Sequence, residues 1–336
     1  MPVDLEPLFA TLSSPHPVES GRTLYAAVPV AEHLGWFVAK DSESHACLMF
    51  ETERSGTARH APIRLENFDV QFALPCRLLR RGAADNDGAF TVIRCRSLDP
   101  DTTRYFLSAC GAMLRLAGSS PASVDLATIV QRLAALFRRL ERPATRPLNG
   151  LFGELFVIWR SSDPAYTLAA WRTDAEARFD FSVADVRLDV KTASGRMRTH
   201  TCSFDQCNPP DGTVAIAASL FAERSPGGLS LGAILDEIED AIGDDAALAL
   251  KLREVTAATL GAGLNESLQA TFDIALADSS LELYDLRSVP ALREPLVMGV
   301  SDVHFRSDFS LAVPFEDAAL FSGSPLRRLV PRAFSS

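Results

Sequence analysis

Between Arg178 and Thr192 the chain reads Arg-Phe-Asp-Phe-Ser-Val-Ala-Asp-Val-Arg-Leu-Asp-Val-Lys-Thr, and this two-residue alternation points to a β-hairpin. Phe179, Phe181 and Val183 point one way and Asp180 and Ser182 the other; past the turn, Val186, Leu188 and Val190 are apolar while Arg187, Asp189 and Lys191 are polar. A turn of two residues (Ala184, Asp185) or of four (Val183 to Val186) gives one register, with Phe181 opposite Leu188 and Asp180 opposite Asp189. Directly opposed side chains sit roughly 4.5–5.5 Å apart at Cβ, and like charges facing each other destabilise a sheet. Either a cation shared between the carboxylates or a nearby basic side chain offsets that repulsion. Lys191 lies on the same face, two residues beyond Asp189. A magnesium ion is ordinarily held by one or two carboxylates, with water and substrate phosphate filling the other positions. The same spacing also occurs on solvated sheet faces, where an Asp–Lys pair contributes about 0–1 kcal/mol.

Two further features bear on that choice. The basic residues are nearly all Arg, with Lys only at Lys40, Lys191 and Lys251, so the hairpin keeps a compact point charge in a chain that otherwise uses guanidinium. Upstream, Asn149-Gly-Leu-Phe-Gly-Glu-Leu-Phe-Val-Ile-Trp159 is apolar on nearly every face and long enough for a buried helix. Glu154 in its middle is a carboxylate in apolar surroundings, which is neutralised, paired with Arg or backbone, or joined to the Asp180 and Asp189 cluster.

Gly-Leu-Phe-Gly-Glu-Leu at 150–155, Trp171, Phe-Asp-Phe at 179–181, Leu-Asp-Val-Lys-Thr at 188–192, and His200 followed by Ser-Phe-Asp-Gln at 203–206 together resemble a bacterial, defence-associated family of PD-(D/E)xK nucleases. The resemblance covers residues 145–245 most closely. It implies an α/β (α+β) fold with a restriction-endonuclease-like mixed-sheet core, in which a helix bearing an acid packs on a sheet whose hairpin carries a metal site. Residue by residue, Asp180 matches the first acid, Asp189 the second, Lys191 the lysine and Glu154 the helix acid, while Gln206 matches a glutamine that follows the lysine strand in some members. Phe179 stands where the pattern has proline, and the interval between the acids is short. The implied cofactor is Mg²⁺, replaceable by Mn²⁺, on Asp180, Asp189 and Glu154; the implied substrate is DNA.

Charge qualifies that expectation. The formal net charge is −10, but residues 211–336 hold 9 basic and 19 acidic side chains, so the acidity is C-terminal. Basic stretches remain at Arg132 to Arg146 and at Arg187, Arg196 and Arg198 with His200, placed to contact phosphates, although such runs also serve as solvated helix ends. A patchy basic surface predicts weak, salt-sensitive binding to duplex DNA by the chain alone, with a helicase, ATPase or methylase partner of a defence system supplying affinity; a homodimer is also compatible. The six cysteines lack CxxC spacing and read as buried thiols, against structural zinc and disulfides. P-loop, GxSxG, GxGxxG and HExxH signatures are absent. No apolar signal run opens the chain and no segment nears the roughly 20 apolar residues of a membrane span, which places the protein in the cytoplasm as an expectation.

The remaining pattern divides the chain into a β-rich N-terminal domain (1–120), a linker helix (121–146), the nuclease-like core (147–290) and C-terminal strands with a tail (291–336). Strands are expected near 23–30, 34–40, 46–51, 67–74, 89–96, 214–221, 268–276, 281–286 and 299–313, and helices near 102–117, 124–140, 230–242 and 244–261. Three functions compete: a metal-dependent DNA endonuclease acting as the cleavage subunit of a restriction or phage-defence system, a catalytically inactive nuclease-like DNA-binding or scaffolding subunit, and an RNA nuclease.

Overall fold

The computed structural model describes residues 4–16, 23–31, 33–52, 61–80, 83–117, 123–174, 177–293, 296–315 and 323–331. The expected domain boundary at 120–121 lies outside the described residues. The chain forms two compact units, the first of residues 1–143 and 244–257, the second of 144–243 and 258–336. The helix expected as a linker therefore belongs to the first unit, and the chain divides at Pro143, where prolines interrupt it.

In the first unit a short helix α1 (Glu6–Ala10) precedes strands β1 (Thr23–Pro29), β2 (Trp36–Lys40), β3 (Ala46–Glu51), β4 (Ile63–Arg64), β5 (Phe68–Arg80) and β6 (Asn86–Cys95). The strand order is β1-β2-β3-β6-β5-β4, and a parallel pairing of β1 with β5 closes the sheet on itself. Alternating residues fill its interior: Tyr25 and Ala27, Phe37 and Ala39, Cys47 and Met49, Cys76 and Leu78, Phe90 and Val92 form one core cluster. The intervening residues Val38, Leu48, Phe68 and Val70 are buried as well, so these strands read as nearly continuous apolar runs. Helices α2 (Pro100–Ala117) and α3 (Ser123–Leu140) follow, with Phe137 of α3 stacked on Phe68 of β5 at 4.9 Å.

The second unit begins with α4 (Leu148–Arg160) and α5 (Pro164–Ala170), then strands β7 (Phe181–Val183), β8 (Val186–Ala193) and β9 (Thr199–Ser203), the single-turn α6 (Phe204–Cys207), strands β10 (Val214–Phe221) and β11 (Arg224–Ser230), and α7 (Leu231–Ile242). Helix α8 (Ala246–Leu260) carries the chain through its return to the first unit. Then come α9 (Leu264–Leu268), β12 (Thr271–Phe272), α10 (Ile274–Ser280), β13 (Glu282–Asp285), β14 (His304–Asp308) and α11 (Leu326–Leu329). The central sheet has the order β13-β10-β8-β7, with β8 parallel to β10 and antiparallel to β7. One face of β8 meets α4; the other is covered by β9 and α6, and β9 pairs with β14 in a separate ribbon.

Two expected strands are shorter than their apolar patterns. The stretch 268–276 contains only the two residues of β12, because Asp273 caps a helix by accepting from the Leu276 N–H at 3.0 Å. The stretch 299–313 contains β14 alone, ended when Asp308 accepts from the Ser310 N–H at 3.0 Å and starts a 3₁₀ turn.

Candidate active site

Helix α4 is buried through Leu151, Phe152, Leu155, Phe156, Val157 and Ile158. It lies against β8 because residue 153 is glycine: a Cβ there would stand 2.4 Å from Thr192 Cγ2 and 3.0 Å from Val190 Cγ1. Glu154 follows directly, 2% exposed.

The hairpin has the register that an even turn predicts, with Phe181 opposite Leu188 and Val183 opposite Val186 around the two-residue turn Ala184-Asp185. Ala184 turns the chain at φ +48°, a left-handed conformation an alanine adopts at a cost. Asp180 sits one residue ahead of β7, where the ladder has ended, and its Oδ2 accepts the Val190 N–H at 2.8 Å. The carboxylate thus completes the pairing of β8. On β8, Asp189 and Lys191 share the face turned away from α4, and Lys191 Nζ stands 2.8 Å from Asp189 Oδ2.

That face is not a wet one. Asp180 and Asp189 are each 4% exposed, sealed by side chains from β9, α6 and the segment after α5. Gln206 is the lid on Asp189: its Nε2 donates to Asp189 Oδ1 at 2.9 Å and to the Arg178 carbonyl at 2.7 Å, while its Oε1 accepts from Lys191 Nζ at 3.3 Å. A capping box fixes it there, the Ser203 hydroxyl accepting the Gln206 N–H and Gln206 Oε1 accepting the Ser203 N–H.

The carboxylate repulsion is offset by guanidinium. Arg172, buried, donates through Nη2 to both oxygens of Glu154 at 2.9 Å and through Nε to Asp180 Oδ1 at 3.3 Å. Trp171 Nε1 adds a bond to Glu154 Oε2 at 2.6 Å. Arg146, half-buried, reaches Asp180 Oδ1 at 3.2 Å and stands 3.7 Å from Glu154 Oε1. Burial, then the Asp180 charge, push Glu154 up to about 7 against the pull of Arg172. Burial pushes Asp189 up to about 6 against Lys191, and Asp180 adds to the rise. For Lys191 burial acts downward, but Asp189 overcomes it and the ammonium is held above its ordinary range.

Among the described residues no three His, Cys, Asp or Glu side chains are arranged to hold a metal ion. The expected trio of Asp180, Asp189 and Glu154 is thus not drawn together as a three-ligand group: both oxygens of Glu154 accept from Arg172, and Asp180 accepts from Arg172 and Arg146 through Oδ1 and from the Val190 N–H through Oδ2. Asp189 keeps one carboxylate oxygen whose partner is a side-chain cation rather than the backbone. Asp189 Oδ2 is buried against the Lys191 ammonium at 2.8 Å and accepts from no backbone or amide donor among the described residues.

The expected nucleic-acid contacts also change. Arg198 is buried, donating to the Ser219 hydroxyl at 2.8 Å and to the Ser280 carbonyl, and paired with Glu282 at 2.9 Å. His200 is 3% exposed and bonded to the Ser219 hydroxyl at 2.8 Å; burial, Lys191 and Arg198 hold its pKa down to about 4. Both are interior groups: the exposed loop that carries Arg196 and Met197 ends at Arg198, which turns inward, and His200 faces the interior from β9. Arg187 folds back on the turn, donating to the Ala184 and Val186 carbonyls at 2.8 Å, and Arg196 is exposed. Arg172 was not among the expected site residues, although a buried Glu154 called for a cation nearby.

A family model described as "Putative PD-(D/E)XK family member, (DUF4420)" matches residues 5–310. No curated protein and no solved structure matches the chain.

Proposed function

The chain belongs to the PD-(D/E)XK family DUF4420 and its core has the restriction-endonuclease-like fold, and from that premise we propose that it is a metal-dependent endonuclease hydrolysing DNA phosphodiester bonds. The observation that carries the reading is the constellation of Asp180, Asp189 and Lys191 on one hairpin, with the Lys191 ammonium 2.8 Å from Asp189 Oδ2 and Asp180 Oδ2 on the Val190 N–H of the same strand.

Asp180 and Asp189 are the residues that would hold Mg²⁺ or Mn²⁺, with water and phosphate completing the shell. Such an ion supplies Lewis acidity, polarising the scissile phosphate and lowering the pKa of a bound water. Lys191, kept charged by Asp189 and aimed by Gln206, donates to the attacking water or to the oxygens that gain charge as the phosphorane forms. Arg172 acts on Asp180 and holds its carboxylate in place. Arg146 offers a second positive charge from the more exposed side of Asp180. With a net charge of −10 and no P-loop of its own, the chain fits the role of a cleavage subunit whose partner in a restriction or phage-defence system brings DNA affinity or a motor.

A second reading has its own observation: Arg172 and Arg146 already neutralise Glu154 and Asp180, as they would in an inactive nuclease-like scaffold. Plasmid and oligonucleotide assays separate the two. Cleavage with Mg²⁺ or Mn²⁺, its absence in EDTA, and its loss in folded Lys191→Ala protein are expected. Wild-type turnover by Lys191→Ala would remove the catalytic assignment, and an RNA substrate cut in preference to DNA would move the reading to an RNA nuclease.

A further inference from the structure

Beside the hairpin site a cleft of about 630 Å³ opens, lined among others by Arg146, Arg178, Gln206, Leu296, Val300 and His304. Two of these residues belong to the constellation already described: Gln206 holds Asp189 and Lys191, and Arg146 touches Asp180. The cleft therefore adjoins that constellation, with Gln206 standing between it and Asp189. Its volume is within the range of pockets that hold one compact ligand.

Its walls combine charge with an apolar rim. The Arg178 guanidinium is half exposed and paired with Asp205 at 2.9 Å, a surface pair worth about 0–1 kcal/mol, which a phosphate can replace. Across the opening the chain makes a tight turn in which the Val300 N–H donates to the Val297 carbonyl at 3.0 Å and Gly299 takes φ +87°. Leu296 and Val300, at either end of this turn, line the cleft, while Val297 and Met298 project from its tip, Met298 99% exposed. The mouth is polar and carries both signs of charge, Arg178 facing Asp205 and His304 facing Asp302, and apolar side chains held out beside it match the wedges that proteins insert between base steps.

We propose that this cleft receives one unpaired nucleotide beside the scissile phosphate, with Val297 and Met298 as the wedge that keeps it unstacked and Arg178 on the flanking phosphate. The inference rests on the nuclease reading and narrows its substrate class to DNA that is single-stranded, mismatched or bubbled at the cut. Extruding a base costs a few kcal/mol and least where the base is already unpaired, so an enzyme with a cleft of this size discriminates against an intact duplex.

The test is binding of fluorescein-labelled DNA by the full chain in EDTA, where no cleavage occurs, with 2-aminopurine placed in a two-nucleotide bubble. Bubble and single strand should bind about tenfold or more tighter than the matched duplex, with a rise in 2-aminopurine emission as the base unstacks. Met298→Asp with Val297→Asp, both at an exposed tip and outside the folded core, should bring bubble affinity down to the duplex level and abolish the emission change; Arg178→Glu should lower affinity while circular dichroism stays unchanged. Equal affinity for bubble and duplex, an unaltered response in the tip variant, or no binding to any of the three DNAs would overturn the cleft proposal. A parallel Mg²⁺ assay separates the two readings: selective binding without cutting removes the nuclease and keeps the cleft, whereas cutting without selectivity removes only the cleft.

Discussion

At the scale of single residues, the site is governed by how much buried negative charge it can hold. Glu154 and Asp180 share one buried guanidinium, so Arg172→Met strands two carboxylates and should lower stability by about 3–5 kcal/mol in urea unfolding. Adding Glu154→Leu to that variant should recover part of the loss, because the stranded charge goes with it. Protonation obeys the same logic. Glu154 and Asp189 have folded pKa values raised to about 7 and about 6, above the roughly 4 of an unfolded carboxyl. In metal-free protein their contribution is fully present below pH 4 and is lost as pH rises through 6 and 7. His200, held down to about 4, works in the opposite sense, so the comparison of Asp189→Asn with wild type isolates the carboxyl. The variant should gain on the wild type in melting temperature between pH 4 and 7, and a constant difference would show that Asp189 is ionised throughout. The alternation made Asp180, Asp189 and Lys191 legible because period two is a local property. Arg172 was not legible: its contacts reach 18 residues back to Glu154 and eight forward to Asp180, and no periodicity links those positions.

At the scale of elements, the site depends on one close approach. Helix α4 lies on β8 only because Gly153 has no side chain. Gly153→Ala forces α4 off Thr192 and Val190, and overpacking of this kind costs about 1–3 kcal/mol, reduced by the better helix propensity of alanine. Thermal unfolding should show the loss, and tryptophan fluorescence should change, since Trp171 is bonded to Glu154 on the displaced helix. Wild-type stability with an unchanged spectrum would mean that α4 sits farther from the sheet. Helices α3, α4 and α7 and strands β8 and β10 were all readable from their patterns, each being long or strongly apolar. Strand β9 and its pairing with β14 were not, because five mixed residues pair with five others about a hundred positions away, and the energy of that pairing appears in neither segment alone. Helix α10 did carry a local signal in Asp273, an N-cap that outweighed the β-like Thr-Phe before it.

At the scale of the whole molecule, the order of the chain is not the order of its units. The first unit takes residues 244–257 from beyond most of the second, so a cut at the Pro143 boundary removes part of it. The buried Tyr105 hydroxyl donates to the Arg253 carbonyl at 2.7 Å, and Arg139 Nη1 donates to the Glu254 carbonyl at 3.3 Å. Both acceptors belong to the returning helix. A fragment of residues 1–143 would leave the Tyr105 hydroxyl without that bond and expose the apolar side chains that α8 covers, losses of the kind that leave a compact but loosely packed state. It should bind the dye ANS and lack near-ultraviolet circular dichroism, whereas the same fragment joined through a Gly-Ser linker to residues 244–257 should regain a cooperative melt. If residues 1–143 alone unfolded cooperatively with native-like near-ultraviolet signal, the returning helix would be dispensable and the first unit would be a contiguous domain after all.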